Sequence, residues 1–275
     1  MNRVSQPLSV TSCWIYPIKS CAGVSVGQID IRKRGPVGDR EWMLIDESGQ
    51  FLTQRTLPQL SLIQPRLTDD AIELTADSFS PYKVSRKTKG QERTAQIWGD
   101  QVLVEEPDPV ASEWFSEFLK QSVHLVKIGD RYSRPLAEKW KIEDGENSLS
   151  DGFPLLLANE TSLESLNSEL ETPISMKHFR PNITVRSPLS FEEEDWLELQ
   201  SSDSTFVMTK PCTRCVMICN NPEEGIRTSK NILHKLGELH RFENKITFGI
   251  NLVPLKDSPL KVGDTLKVIA IRQQR

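Results

Sequence analysis

Two thiols separated by two residues, in Pro211-Cys212-Thr213-Arg214-Cys215, are the side chains of this 275-residue chain best suited to do chemistry. The spacing leaves several readings open. A redox dithiol ordinarily opens a helix after a strand, where the helix end lowers the thiol pKa. Here the following Val216-Met-Ile-Cys219 has the composition of a strand, which argues against that reading. A zinc half-site requires two further ligands. His234 and His240 follow, but beyond the customary ~12–15 residues from Cys215. Two packed, inert thiols are the bland alternative. The remaining reading is a thiolate beside a cation. Arg214 favours the ionised sulfur of Cys215, the form that acts as a nucleophile or binds a soft metal such as molybdenum, copper or iron.

A second set of residues is basic. Tyr16-Pro-Ile-Lys19-Ser20 ends a first strand and Gly38-Asp39-Arg40-Glu41-Trp42 enters another. Lys19 offers a point charge, Arg40 a planar fork and Ser20 a hydroxyl, a combination that matches a phosphate or carboxylate. In Phe179-Arg180-Pro181-Asn182 the proline stiffens a loop that presents a cation and an amide. The run Arg32-Lys33-Arg34 reads as solvated surface.

These groups need a scaffold, and the chain pattern predicts a β-rich one. Residues 11–18, 24–31 and 42–46 are rich in β-branched and aromatic residues. Asp46 to Gly49 before Phe51 reads as a hairpin turn. So does Gly99-Asp100 between 95–98 and 101–105. A helix follows Asp108 as cap and Pro109, with Trp114, Phe115, Phe118 and Leu119 on one face. A second starts at Thr161, where Thr161 and Glu164 fit a capping box ahead of Leu163, Leu166 and Leu170. Strands resume at 183–185, 205–209, 216–219, 247–254 and 265–271. Trp98, Trp140 and Trp196 read as core or loop packing. The polar, weakly patterned segment 129–147 marks a boundary between two β-rich halves.

Composition sets the outer limits. With 37% hydrophobic and 26% charged residues, 14 Gly and 17 Pro, the chain is globular rather than fibrous, coiled-coil or largely disordered. Its best apolar run, Phe153 to Ala158, is far short of the roughly 20 residues of a membrane helix. The net charge of −4 argues against bulk nucleic-acid affinity. That charge is uneven: residues 1–66 hold 8 Lys/Arg against 5 Asp/Glu, and residues 136–204 hold 5 against 15. Five cysteines behind a polar start (residues 1–10) read as reduced thiols in a cytoplasmic protein.

The ordered set of motifs resembles the MOSC family, in the subgroup with an added N-terminal β-barrel domain. That subgroup includes the mitochondrial amidoxime-reducing component and bacterial reductases of N-hydroxylated bases. The resemblance rests on Tyr-Pro-Ile-Lys-Ser-Cys at 16–21, Gly-Asp-Arg-Glu-Trp at 38–42, Ser-Asp-Gly-Phe-Pro at 150–154, Phe-Arg-Pro-Asn-Ile at 179–183 and Cys-Thr-Arg-Cys at 212–215. Phe-Gly-Ile-Asn-Leu at 248–252 and Lys-Val-Gly-Asp at 261–264 complete it.

The resemblance implies a β-rich α+β fold, with an N-terminal β-barrel-like domain over 8–127 and a MOSC β-barrel domain with a few helices over 140–272. It implies a molybdenum cofactor (Mo-molybdopterin) in the cleft between them, with Cys215 as the catalytic ligand to molybdenum and Cys212 as a neighbour only. Lys19, Ser20 and Arg40 would hold the pterin and its phosphate. Asp151, Gly152, Arg180, Asn182, Thr213 and Arg214 would line the pocket from the second domain. Gly152 stands where the mitochondrial proteins carry a hydroxyl residue. Pyridoxal phosphate binding is carried by the family resemblance only. The implied reaction reduces a small N-hydroxylated substrate to an amine. Sulfur transfer through a cysteine persulfide, or carriage of the cofactor, is the alternative. No cysteine follows Cys219, so electrons are expected from a separate ferredoxin, cytochrome b5-like protein or flavoprotein reductase. No membrane anchor and no nucleic-acid partner are expected.

Overall fold

The computed structural model describes residues 7–228 and 231–272. The polar start was read over residues 1–10, of which 1–6 lie outside the described residues. Seven strands close into a barrel: Leu8–Ile15, Ile183–Arg186, Leu155–Asn159, Thr247–Pro254, Thr205–Thr213, Trp196–Gln200 and Thr265–Ile271, which pairs back onto Leu8–Ile15. All these pairs are antiparallel except Leu155–Asn159 with Ile183–Arg186. A parallel pair needs a crossover, and the helix Glu160–Asn167 supplies it. Alternate residues of the staves, among them Leu8, Val10, Leu157, Phe206, Ile250, Leu252 and Leu266, fill the interior. Leu8–Ile15, the first strand of the chain, is thus a stave of the barrel formed by its second half.

Residues 42–128 build a separate body. A four-stranded sheet runs in the order Trp42–Ile45, His124–Ile128, Asp100–Glu106, Gln91–Ile97, and a three-stranded one contains Gln64–Leu67, Ala71–Ala76 and Phe79–Ser85. The helix Pro109–Leu119 packs Trp114, Phe115 and Leu119 into a core with Trp42, Leu44, Leu74 and Leu125. Its start is as expected: the Asp108 carboxylate accepts from the amides of Val110 and Ala111, and Pro109 opens the first turn. A third small sheet, Gly35–Pro36 with Gln28–Arg32 and Ser258–Lys261, ties the two halves together. Gly35 sits at φ +105, and a Cβ there would fall 2.3 Å from the Pro154 carbonyl, so only glycine allows the halves to approach at this point.

Four local expectations are corrected. Val216–Cys219 is a short 3-10 turn, not a strand. Burial of Ile218 and Cys219 against Phe179, Phe248 and Leu236 overrides their β propensity. The second helix is capped two residues earlier than expected, by Asn159 accepting from Thr161 N, and ends at Asn167, before Leu170. Residues 24–31 form two strands in different sheets, Val24–Val26 and Gln28–Arg32, broken at Gly27. The hairpin turn is Trp98-Gly99, because Ile97 pairs with Asp100. Trp98 therefore sits at the tip with φ 55 and is 50% exposed, whereas Trp196 is in the core as expected. The helix Asn231–Leu239 had no counterpart in the sequence reading.

Candidate functional site

Three loops from the first half and three from the second converge on a cavity of about 130 Å³. Its lining includes Lys19, Ser20, Arg40, Arg55, Asp151 and Arg180. Lys19 follows the first stave and is buried, with its ammonium donating to the Leu149 carbonyl at 2.9 Å and to Asp151 Oδ1 at 2.5 Å. Burial pushes the Lys19 pKa down to about 8 in spite of that carboxylate. Burial raises the Asp151 pKa, yet Lys19 and Arg55 together hold the carboxyl well below the usual range. Ser20 is buried, and its hydroxyl and carbonyl both accept from Gln54.

Arg40 and Arg180 both lie against the Tyr16 ring. The guanidinium carbon of each lies 4.2 Å from the centroid of the buried Tyr16 ring. Arg40 is anchored by two bonds to Asp39 at 2.9 and 2.7 Å and donates to the Arg180 carbonyl at 3.1 Å. Arg180 donates from Nη1 to the Cys21 carbonyl at 2.7 Å, while its buried Nη2 has no hydrogen-bond partner. Burial, reinforced by Arg40, lowers the Arg180 pKa to about 10. Ser20, Arg40 and Arg180 all have left-handed backbones, with φ of 70, 47 and 56. Non-glycine residues at such angles carry strain and concentrate at ligand sites.

Not every expected residue reaches the cavity. Asn182 lines it, but its amide is consumed: Oδ1 accepts from Leu156 N, and Nδ2 donates to the Trp14 carbonyl and to Asp39. Arg214 lines it with its guanidinium spent on the carbonyls of Phe248 and Phe179. Thr213 is exposed and outside the lining. Gly152 does line the cavity, and a Cβ there would meet nothing within 4 Å. Cys215 is half-buried and begins the 3-10 turn, and Cys212 contributes to the lining. None of the five cysteines is in a disulfide. Among the described residues no group of three or more His, Cys, Asp or Glu is placed to hold a metal ion. His240 is occupied with Glu194 at 3.0 Å.

The cation that interacts with the Cys215 sulfur is Arg55, which sequence reading did not single out. Its Nη2 also pairs with Asp151 Oδ2 at 2.9 Å. Arg55 lies in an irregular loop, Leu52 to Leu57, where no periodicity flags a residue, and only the fold brings it opposite Cys215. Gln54, in the same loop, was missed as a support for the same reason, and Asp39 stood within its motif without a role assigned to it. The cavity is cationic, its lining includes Arg180 with the buried Nη2 unpartnered and the Cys212 thiol, and Cys215 lies outside the lining, linked to it through Arg55. That arrangement can hold a phosphorylated anion and present sulfur to a soft metal.

Residues 8–122 match the model described as the MOSC N-terminal beta barrel domain, and residues 144–267 match the MOSC domain. The mouse mitochondrial amidoxime-reducing component 1 is 32% identical over 86% of this chain and 72% of its own length. The mitochondrial amidoxime reducing component 2 of Bos taurus is 30% identical over 96% of this chain and 84% of its own. Human molybdenum cofactor sulfurase is 30% identical over 90% of this chain but only 30% of its own length. No helix among the described residues is long and apolar enough to cross a membrane.

Proposed function

The chain belongs to the MOSC family, and from that premise we propose that it is a molybdenum-cofactor-dependent oxidoreductase that reduces N-hydroxylated compounds to amines. The substrates are amidoximes, hydroxylamines and N-hydroxylated bases. The observation that carries this reading is the cationic cavity, lined by Arg180 and Cys212, with the Arg180 Nη2 buried and unpartnered and Arg55 of the same lining interacting with the Cys215 sulfur. A buried donor without a partner costs about 1–3 kcal/mol, which an anionic ligand removes. The residues therefore fit a phosphorylated pterin that binds a soft metal.

Lys19, Ser20, Arg40 and Arg180 would hold the anionic group, with Asp151 and Gly152 closing the rim of the cavity. Cys215 would give its sulfur to molybdenum. Asn182, Thr213 and Arg214 would shape the site through the backbone, since two of these side chains are consumed internally and Thr213 points out. When bound, the cofactor supplies the two-electron chemistry that turns an N–OH group, with two electrons and two protons, into an amine and water. Arg55 steadies the Cys215 sulfur and the Asp151 carboxylate together. A separate ferredoxin, cytochrome b5-like protein or flavoprotein reductase would deliver electrons, and a cytoplasmic setting without membrane or nucleic-acid partners fits the composition.

A second reading is sulfur transfer through a persulfide. It is favoured by the position of Cys212 in the cavity lining and by the likeness to the sulfurase. The test is metal and pterin content of protein from a host that makes the cofactor, together with reduction of benzamidoxime by a chemical electron donor. Near-stoichiometric molybdenum and turnover, both lost in Cys215→Ala, support the reductase. Folded protein without molybdenum but with a persulfide seen by mass spectrometry supports sulfur transfer instead.

A further inference from the structure

Trp98 is placed where a core or turn residue has no reason to be an indole. The two-residue turn Trp98-Gly99 has positive φ at its first residue, and that residue is Trp98, at φ 55, where a glycine would sit without strain. The ring is not hidden in return: Trp98 is 50% exposed. It is nonetheless fixed. Phe51 meets it edge-on at 5.2 Å, Gln96 Nε2 donates to its carbonyl at 2.6 Å, and the Arg55 guanidinium lies 4.7 Å over its face. The same guanidinium pairs with Asp151 and interacts with the Cys215 sulfur, so one side chain spans the interval from the indole to the thiol. Phe51 extends the aromatic wall inward, beneath the Lys19 ammonium at 5.2 Å.

Resting on the reductase reading above, we propose that Trp98, outside the cavity lining but stacked against its Arg55 and backed by Phe51, is a substrate-stacking wall beside the site and selects flat, conjugated N-hydroxylated bases over aliphatic ones. A planar π-system stacks on an indole–guanidinium surface whatever its hydrogen-bonding pattern, which suits a site that takes many bases. Arg55, stacked on the indole and part of the cavity lining, disfavours cationic molecules at this point, so the accepted class is neutral at working pH. Amidoximes and hydroxylamines meet that condition; the amines and amidines formed from them become cations, which the same charge repels.

The experiment compares wild type, Trp98→Ala and Trp98→Phe with benzamidoxime and with N-methylhydroxylamine. Benzamide, flat and neutral but without an N–O bond, is titrated in parallel against the intrinsic tryptophan fluorescence. The expected result in Trp98→Ala is a roughly tenfold fall in the ratio of kcat/KM for benzamidoxime over N-methylhydroxylamine, the order of one base–aromatic stack, carried by KM. Trp98→Phe restores most of that ratio, and its fluorescence no longer responds to benzamide. An unchanged ratio together with benzamide quenching that persists in Trp98→Phe overturns the stacking wall and leaves the reductase reading intact. Benzamide binding that depends on Trp98 in protein that reduces neither substrate keeps the wall and sinks the reductase reading. Trp98→Gly, which relieves the turn, replaces Trp98→Ala if the latter does not fold.

Discussion

Lys19 and Asp151, 132 residues apart, meet across the cavity in an ion pair with Nζ 2.5 Å from Oδ1. The lysine side chain is 6% exposed and the carboxylate 49%, so the pair runs from the interior to the rim. It joins the loop that leaves the first stave to the loop that enters Leu155–Asn159, and Arg55 completes it from the first half through Asp151 Oδ2. One carboxylate thus holds two cations in place for a ligand that carries the opposite sign.

Removing that carboxylate should cost more than its exposure suggests. In Asp151→Asn the buried Lys19 loses its counter-ion, and a lone buried charge is expensive. Half-exposure of Asp151 screens the pair, so the expected loss is about 1–2 kcal/mol by denaturant unfolding rather than the full cost of a buried ion. Lys19→Met together with Asp151→Asn should recover part of it, giving a coupling energy of roughly 1 kcal/mol in a double-mutant cycle. Additive losses would show that the two side chains are neighbours without being partners.

Arg180 sets stability against ligand binding. Its guanidinium is buried, flanked by Arg40, short of one hydrogen bond and lowered to a pKa of about 10 by burial. Arg180→Met replaces it with an apolar chain. The cofactor-free protein should gain about 1 kcal/mol, a rise of roughly 2–4 °C in Tm, while molybdenum and pterin content falls sharply. A drop in Tm would mean that the bond to the Cys21 carbonyl and the stack on Tyr16 matter more to the fold than the charge does to a ligand.

How much of this was legible in the sequence depends on which residues are asked about. The helix Pro109–Leu119 was readable because Asp108, Pro109 and the aromatic stripe act locally and agree. The convergence of Lys19, Arg40, Asp151 and Arg180 was accessible through the motifs that contain them. Arg55 was not, because a residue in an irregular loop acquires its role from the chain it faces. Val216–Cys219 misled in the other direction: aliphatic side chains favour a strand locally, but the Phe179–Phe248 cluster draws them into a turn. Asn182 was read as a group presented to a ligand, and the fold instead spends it on three internal partners.

Asn182→Ala tests that last assignment. It deletes the acceptor of Leu156 N and the donor to Trp14 O and to Asp39, and leaves the buried Asp39 carboxylate with one partner fewer. Each lost bond is worth about 1 kcal/mol and an unsatisfied buried group adds to it, so the variant should be destabilised by roughly 2–4 kcal/mol. A variant of unchanged stability that fails only to retain the cofactor would return Asn182 to the ligand.

Glu193 gives the protein a pH dependence remote from the cavity. It is fully buried, and burial raises its pKa from 4.5 to about 7 against the bonds donated by Ser162 and Asn159 and with Glu194 adding to the rise. The folded carboxyl therefore keeps its proton up to about pH 7, and the unfolded one releases it near 4.5. Between those values the folded state binds more protons, so stability falls as pH rises. The contribution is complete below the unfolded value and gone above the folded one. At 1.36 kcal/mol per pKa unit the loss is on the order of 3 kcal/mol. Glu193→Gln has no proton to lose, so its Tm should match or trail wild type at the acidic end and overtake it by several degrees at the neutral end. Parallel Tm curves for the two proteins across that window would remove Glu193 as the titrating group.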